Sequence, residues 1–165
     1  MNRHTNIKQI YAQYSQRLYF TSLRIVGNSF DAEEIMQDTI LKYHNLSGKE
    51  SILEPGKWLT SVCIRKSIDK LREKHRNKDF LEEYKEIQSI EQSPTSTPGN
   101  CSIEDIKKAL LLLPDSYRTI LSLHLFEGYD YQEIEQITGT KEVTLRSLYK
   151  RAKDKLAATL QNTKR

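Results

Sequence analysis

Cysteine is scarce in this chain, and the two present, Cys63 and Cys101, stand far apart and outside any CxxC spacing. A disulfide framework and a structural zinc site therefore have no support, and both residues read as ordinary thiols. No run of eighteen apolar residues occurs, so no membrane span is expected. The opening stretch "MNRHTNIKQIYAQY" lacks the apolar core of a secretory signal, and a cytoplasmic location is expected. Strict alternation of apolar and polar residues is also missing over any useful length, which excludes a strand-based fold. Catalytic constellations are thin as well. Glu34 and Asp38 lie one helical turn apart with His44 nearby, but no third ligand follows at metal spacing. The "EPGKWLTS" segment contains Gly-Lys without the upstream glycine of a phosphate-binding loop. His4, His44, His75 and His124 have no nearby Cys or Ser pairing that suggests a nucleophile, and His124 and Trp58 read as packed side chains. The expectation is a protein with no enzymatic activity, no metal, no cofactor and no small-molecule substrate.

What is present is helical periodicity and uneven charge. The chain has 165 residues, 37% apolar and 29% charged, which suits one modest domain or two small helical ones. The formal charge is only +4, yet residues 57–78 carry eight Lys and Arg against two Asp and Glu, and residues 140–165 repeat that ratio. Between them, residues 79–102 and 103–139 are both net acidic. Basic residues gathered on limited stretches are the footprint of a polyanion binder, although a solvated helix also carries such runs.

Apolar residues at Ile7, Ile10, Tyr11, Tyr14, Leu18 and Ile25 predict a first helix from Asn6 to Val26, ended by Gly27-Asn28. Ser29 is placed to cap a second helix whose inward stripe is Ala32, Ile35, Met36, Ile40 and Tyr43, with Glu33, Glu34, Gln37 and Asp38 elsewhere. The turn-rich "NLSGKESILEPG" predicts a loop, and a third helix begins near Lys57. That helix has two apolar stripes, Leu59-Val62-Cys63 and Ile64-Ile68-Leu71, as a central helix of a bundle would, with Arg65, Lys66, Lys70 and Arg72 on its remaining arc. A fraying helical extension should follow, and then "QSPTSTPGN", which has no large apolar side chain and reads as a linker.

In the second half, Ile103, Ile106, Leu110 and Leu113 share a face, and Pro114 opens a helix that turns Tyr117, Ile120, Leu121 and Leu125 inward before Gly128. The "DYQE" segment is a capping box that starts a short helix at Tyr131, with Ile134 and Ile137 inward. Gly139 then interrupts, and a second helix carries Leu145, Tyr149, Ala152 and Leu156 on one face. Two short helices hinged at a glycine, the second one basic, make a helix-turn-helix rather than one blemished helix. The plain alternative is an αα-hairpin in a bundle. On the outward face Arg146, Ser147 and Lys150 are assigned to DNA bases, Arg151 and Lys153 to phosphates, and Thr144 flanks them. The plain alternative, merely solubilising charge, stays open for Lys153, Lys155 and the terminal "NTKR". The fold expectation is all-α: two small helical bundles joined by a flexible linker, the C-terminal one containing the helix-turn-helix.

These residues carry a resemblance. "LPDSYRTILSLHLFEGYDYQEIEQITGTKEVTLRSLYKRAKDKL" resembles the minus-35 reader of bacterial RNA polymerase sigma factors of the extracytoplasmic-function (ECF) group. "DAEEIMQDTILKY" and "WLTSVCIRKSIDKLR" are similar to that group's clamp-binding and minus-10 domain. The resemblance covers nearly the whole chain in order. It implies an N-terminal sigma domain over residues 5–90, a linker over 91–102 and a C-terminal domain over 103–162. It implies polymerase binding through Glu34, Gln37 and Asp38. It also implies capture of a flipped minus-10 base by the loop from Asn45 to Gly56, with the basic residues Lys57, Arg65, Lys66, Lys70 and Arg72. Core RNA polymerase and promoter DNA are the implied partners, with an anti-sigma factor that in this group is often membrane-anchored. The sequence departs from the family at Arg65 for asparagine, Ile64 for a basic residue, Thr140 for an aliphatic one, Lys141 for a serine cap and Leu148 for arginine. The competing reading is a stand-alone helix-turn-helix regulator that binds operators as a dimer.

Overall fold

A computed structural model of the chain describes residues 6–75 and 101–163. Its described elements are helical, as expected: α1 (Ile7–Val26), α2 (Ser29–His44), a 3₁₀ turn (Lys49–Ser51), α3 (Pro55–Lys74), α4 (Ile103–Leu111), α5 (Asp115–Ile120) running into a π-helical turn (Leu121–Phe126), α6 (Tyr131–Thr138) and α7 (Glu142–Thr163). The chain divides into two compact units, Met1–Lys70 and Leu71–Arg165. The expected linker lies mostly, and the extension before it beyond His75, outside the described residues.

In the first unit α1 and α2 pack as a hairpin, closed by Gly27 in the left-handed region at φ 82°. The cap of α2 is Asn28 and not Ser29. Its Oδ1 accepts from Asp31 N–H at 2.9 Å, and its Nδ2 donates to the Asp31 carboxylate at 2.8 Å, so one amide serves both directions. α3 begins at Pro55, two residues earlier than expected, because proline suits the first helical position, where an N–H has no partner to lose. The core joins Leu18, Ile35, Met36, Ile40, Tyr43 and Leu59, with Trp58 packed at its margin 5.5 Å from the Tyr43 ring. The two stripes of α3 are buried at Leu59 and Cys63 and at Ile64, Ile68 and Leu71, in keeping with a central helix. Gly56 packs closely: a Cβ there would stand 3.1 Å from Tyr14 Cε1, so the ring would have to yield slightly. Buried hydroxyls are matched locally, with Thr39 donating to Ile35 O at 2.7 Å and Ser22 and Ser67 bonded to each other at 2.9 Å.

In the second unit α4, α5 and α6 pack on α7, around Leu110, Leu113, Ile120, Ile134, Leu145 and Leu156. Pro114 is the residue before α5 rather than inside its first turn. Two members of the stripes expected in this unit face out, as Tyr11 of α1, 48% exposed, does in the first. Ile103 is the first residue of α4 and is 70% exposed. Leu125 is 50% exposed, in the last turn before Gly128 (φ 75°) redirects the chain, and Leu123 is buried instead. That last turn closes with a Glu127 N–H bond to Ser122 O at 2.9 Å, an i to i+5 step, so a 3.6-residue period does not carry through it.

Asp115 gathers charge at the start of α5. It pairs with Arg118, accepts from His75 Nε2 at 2.9 Å, and lies 3.4 Å from Lys74 Nζ. Arg118, nearly buried, also donates to Leu113 O at 2.6 Å. Burial alone would raise the Asp115 pKa, but the His75 hydrogen bond, the Arg118 guanidinium and Lys74 outweigh it and hold the carboxyl below its ordinary range. A depressed carboxyl stabilises the fold above its unfolded pKa, and that contribution disappears as pH falls through the folded value. Asp115→Asn should therefore cost about 2 kcal/mol at neutral pH. In chemical denaturation at a series of pH values, the gap to the unsubstituted chain should close below about pH 4. A gap that stays constant down to pH 2 would contradict this assignment.

Candidate nucleic-acid interface

The helix-turn-helix is built by local chemistry. Asp130 Oδ1 accepts from Glu133 N–H at 2.8 Å, and the Glu133 carboxylate accepts from Asp130 N–H at 3.4 Å, the reciprocal capping box that "DYQE" predicted. Gly139 ends α6 at φ 77°, donating its N–H to Glu135 O at 2.8 Å. A Cβ added there would meet nothing within 4 Å, so the demand for glycine comes from the backbone angle and not from space. After the turn, the first bond of α7 runs from Leu145 N–H to Lys141 O at 3.0 Å.

Along α7, Leu145, Leu148, Ala152 and Leu156 are buried, which fixes the rotation of the helix. Arg146, Ser147, Lys150 and Lys153 are consequently exposed, and Thr144 and Arg151 are half-buried beside them. Thr144, Arg146, Ser147, Lys150 and Arg151 thus lie on the first half of one helix, with Lys153 just beyond it. Leu148, where arginine is frequent in the resembled family, is 3% exposed here and serves the core. Tyr149 is half-buried, and burial, with Tyr131 nearby, raises its phenol above the ordinary range.

Arg146 has neighbours that sequence reasoning did not assign to it. Its Nη2 donates to Glu142 Oε1 at 2.6 Å, one turn earlier on α7, and its guanidinium lies 4.8 Å from the centre of the Tyr131 ring. Tyr131 is stacked on His124, with ring centres 4.4 Å apart and planes at 19°. Tyr149 meets His124 edge-on at 4.5 Å and Tyr131 at 6.2 Å, and Lys153 Nζ lies 4.9 Å over the Tyr149 ring. The i, i+4 spacing of Glu142 and Arg146 was a usable signal for one of these contacts. Nothing in the sequence announced the aromatic cluster, whose members come from three elements.

In the first unit Glu34, Gln37 and Asp38 are exposed on α2, with Glu33 beside them; Gln37 Nε2 donates to Glu33 Oε1 at 3.5 Å. They form one acidic face opposite the buried Ile35, Met36 and Ile40. The loop before α3 carries Leu53 at 94% exposure while Ile52 packs on the core. On α3, Lys57 pairs with Glu54 at 2.9 Å and Lys70 with Asp31 at 3.9 Å; Arg65 is exposed and Lys66 half-buried. Arg72, near the end of α3, falls in the second unit, where its Nη2 donates to Thr138 O at 2.8 Å. Among the described residues no group of three His, Cys, Asp or Glu side chains is placed to hold a metal ion.

Residues 10–77 match the family described as Sigma-70 region 2, and residues 103–156 match Sigma-70, region 4. RNA polymerase sigma factor SigV of Bacillus subtilis is 30% identical over 142 residues, covering 84% of this chain and 81% of that protein. The chain belongs to the sigma-70 family, in its ECF group. The ECF sigma factor SigM of Bacillus subtilis is 28% identical and matches 92% of this sigma factor and 93% of its own length. SigE of Mycolicibacterium smegmatis is 26% identical over 90% of this chain, which spans only 59% of that longer protein. Among solved structures, the sigma factor RpoE of Bartonella quintana, crystallised with the anti-sigma factor NepR, shares the fold: TM-score 0.56 at 21% identity, over 93% of this chain and 96% of that one.

One departure from the family has a measurable consequence. Thr140 is 1% exposed beside the turn, and its hydroxyl has no hydrogen-bond partner among the described residues. Burying a hydroxyl without a partner costs free energy that a methyl group of the same shape does not. Thr140→Val should raise stability by about 1 kcal/mol in chemical denaturation. A loss of similar size would show that the hydroxyl has a structural role.

Proposed function

We propose that this sigma factor binds core RNA polymerase, directs it to promoters through minus-35 and minus-10 elements, and supports promoter melting and the start of transcription. The observation that carries the reading is the presence of region 2 and region 4 in one chain, in order, with an acidic helix face on the first and a basic reading face on the second. The regulator alternative is not favoured, because residues 10–77 match a sigma domain where an operator-binding dimer needs a dimer interface or effector pocket.

In this reading Arg146, Ser147 and Lys150 contact minus-35 bases, Thr144 flanks them, and Arg151 and Lys153 hold phosphates. Glu34, Gln37 and Asp38 dock on a basic surface of the polymerase clamp, where opposite charge speeds and orients association. Leu53 and the surrounding loop, with Lys57, Arg65, Lys66 and Lys70, receive the melted minus-10 strand. The resemblance assigns Arg72 to the same strand, and its Nη2 donates to Thr138 O within the second unit. Extruding a base costs a few kcal/mol, which a preformed basic pocket offsets. The chain contributes binding and makes no bond of its own. No helix among the described residues is long and apolar enough to cross a membrane, and the reading puts the protein in the cytoplasm, with the transcription machinery. The Bartonella quintana relative was crystallised with an anti-sigma factor, and by analogy this chain has such an antagonist, possessing a membrane anchor or not.

Run-off transcription with purified core enzyme on genomic fragments tests the function. The chain should yield discrete transcripts that core enzyme alone does not, and Glu34→Lys should abolish them while leaving thermal unfolding unchanged. Transcripts identical with and without the chain, or tight operator binding by the chain in the absence of polymerase, would refute it. Affinity purification from native cells should recover a partner besides polymerase; recovery of only free and polymerase-bound chain would remove the antagonist.

A further inference from the structure

An arginine on an exposed helix face samples many rotamers, and ordering it on DNA has an entropic cost. Arg146 is 62% exposed, yet two neighbours hold it. Glu142 takes one guanidinium N–H at 2.6 Å, and the Tyr131 ring covers the group at 4.8 Å. A guanidinium has five N–H donors, so a planar two-acceptor base edge can still be met by the rest.

The ring itself is held from below. Tyr131 opens α6 directly after the capping residue Asp130, so its backbone is fixed by the box. It lies flat on His124 at 4.4 Å. His124 Nδ1 is 2.7 Å from Tyr129 O, and since a carbonyl only accepts, Nδ1 carries the proton and the imidazole plane is set. His124 sits in the π-helical turn, whose wider ladder is closed by Glu127 N–H on Ser122 O. Tyr149, three residues after Arg146 on α7, touches both rings edge-on and ties the stack to the reading helix.

We propose that Tyr131, supported by His124, is a positioning residue that sets the selectivity of Arg146 for its base pair. The inference rests on the assignment of Arg146 as a base reader. Removing the ring leaves the positive charge of Arg146, and with it attraction to phosphate, but leaves the guanidinium held by Glu142 alone and free to turn about that one bond. Selectivity at one base pair should fall while affinity for other DNA remains.

The test uses the full chain with core polymerase on promoter fragments that differ only at single minus-35 base pairs. The unsubstituted chain should discriminate at one position by about fivefold to a hundredfold. Arg146→Ala should bring that ratio near unity. Tyr131→Leu should lower the same ratio at the same position, and Tyr131→Phe, which keeps the ring, should restore it. If Arg146→Ala flattens the ratio and Tyr131→Leu does not, the positioning role is overturned and the base reader stands. If Arg146→Ala leaves every ratio unchanged, the base assignment fails and the positioning role falls with it. A uniform loss on all fragments with ratios preserved makes Tyr131 merely structural and overturns the proposal. Should Tyr131→Leu fail to fold, ¹⁵N relaxation of the Arg146 Nε–H in the free Glu142→Ala chain, where the ring is the remaining neighbour, decides: restricted motion supports the proposal, and the mobility of a freely solvated arginine overturns it.

Discussion

The left-handed turn at Gly139 is the constraint from which the exposed basic face of α7 follows. α6 is only about two turns long, too short to persist alone, and it survives because it is capped at Asp130 and packed on α7 through Ile134. For both helices to share one core the chain must reverse sharply between Thr138 and Glu142, and φ 77° at Gly139 provides that reversal. The burial of Leu145, Leu148 and Ala152 then fixes the rotation of α7 and so decides which side chains meet solvent. The basic face is the complement of the core face and needs no separate device to expose it.

Charge is divided with the same economy. α2 buries Ile35, Met36 and Ile40 and leaves a carboxylate-bearing face, while α7 buries its leucines and leaves guanidinium and ammonium groups. The two faces belong to different compact units, so each can meet a partner of opposite sign. The modest net charge of +4 conceals this division. Most surface charges contribute little to stability, which leaves them available for recognition. Asp115 and Arg118 are the contrast: nearly buried and mutually paired, they serve the fold.

Helix existence, the capping box at Asp130 and the pivot at Gly139 were legible because each is written in local chemistry: apolar period, a side chain three residues from its partner, a residue without Cβ. The placement of Arg146, Ser147 and Lys150 outward was legible for the same reason, since it follows from the stripe Leu145, Tyr149, Ala152. Local signals failed at the ends of elements. The helix already includes Ser29, and Asn28, one residue earlier, makes the cap bonds to Asp31, while Ile103 and Leu125 sit in terminal turns. The stack of His124, Tyr131 and Tyr149 was not legible, because it depends on how three elements meet and on a π-helical turn that a 3.6-residue period cannot anticipate.

Nuclear magnetic resonance of the full chain titrated with a short duplex at low salt tests most directly whether α7 is the surface that meets duplex DNA. Amide shifts should concentrate between residues 142 and 153 and fade as salt rises, as expected where phosphate contacts release counterions. Shifts centred on α4 and α5, with α7 unmoved, would contradict the account.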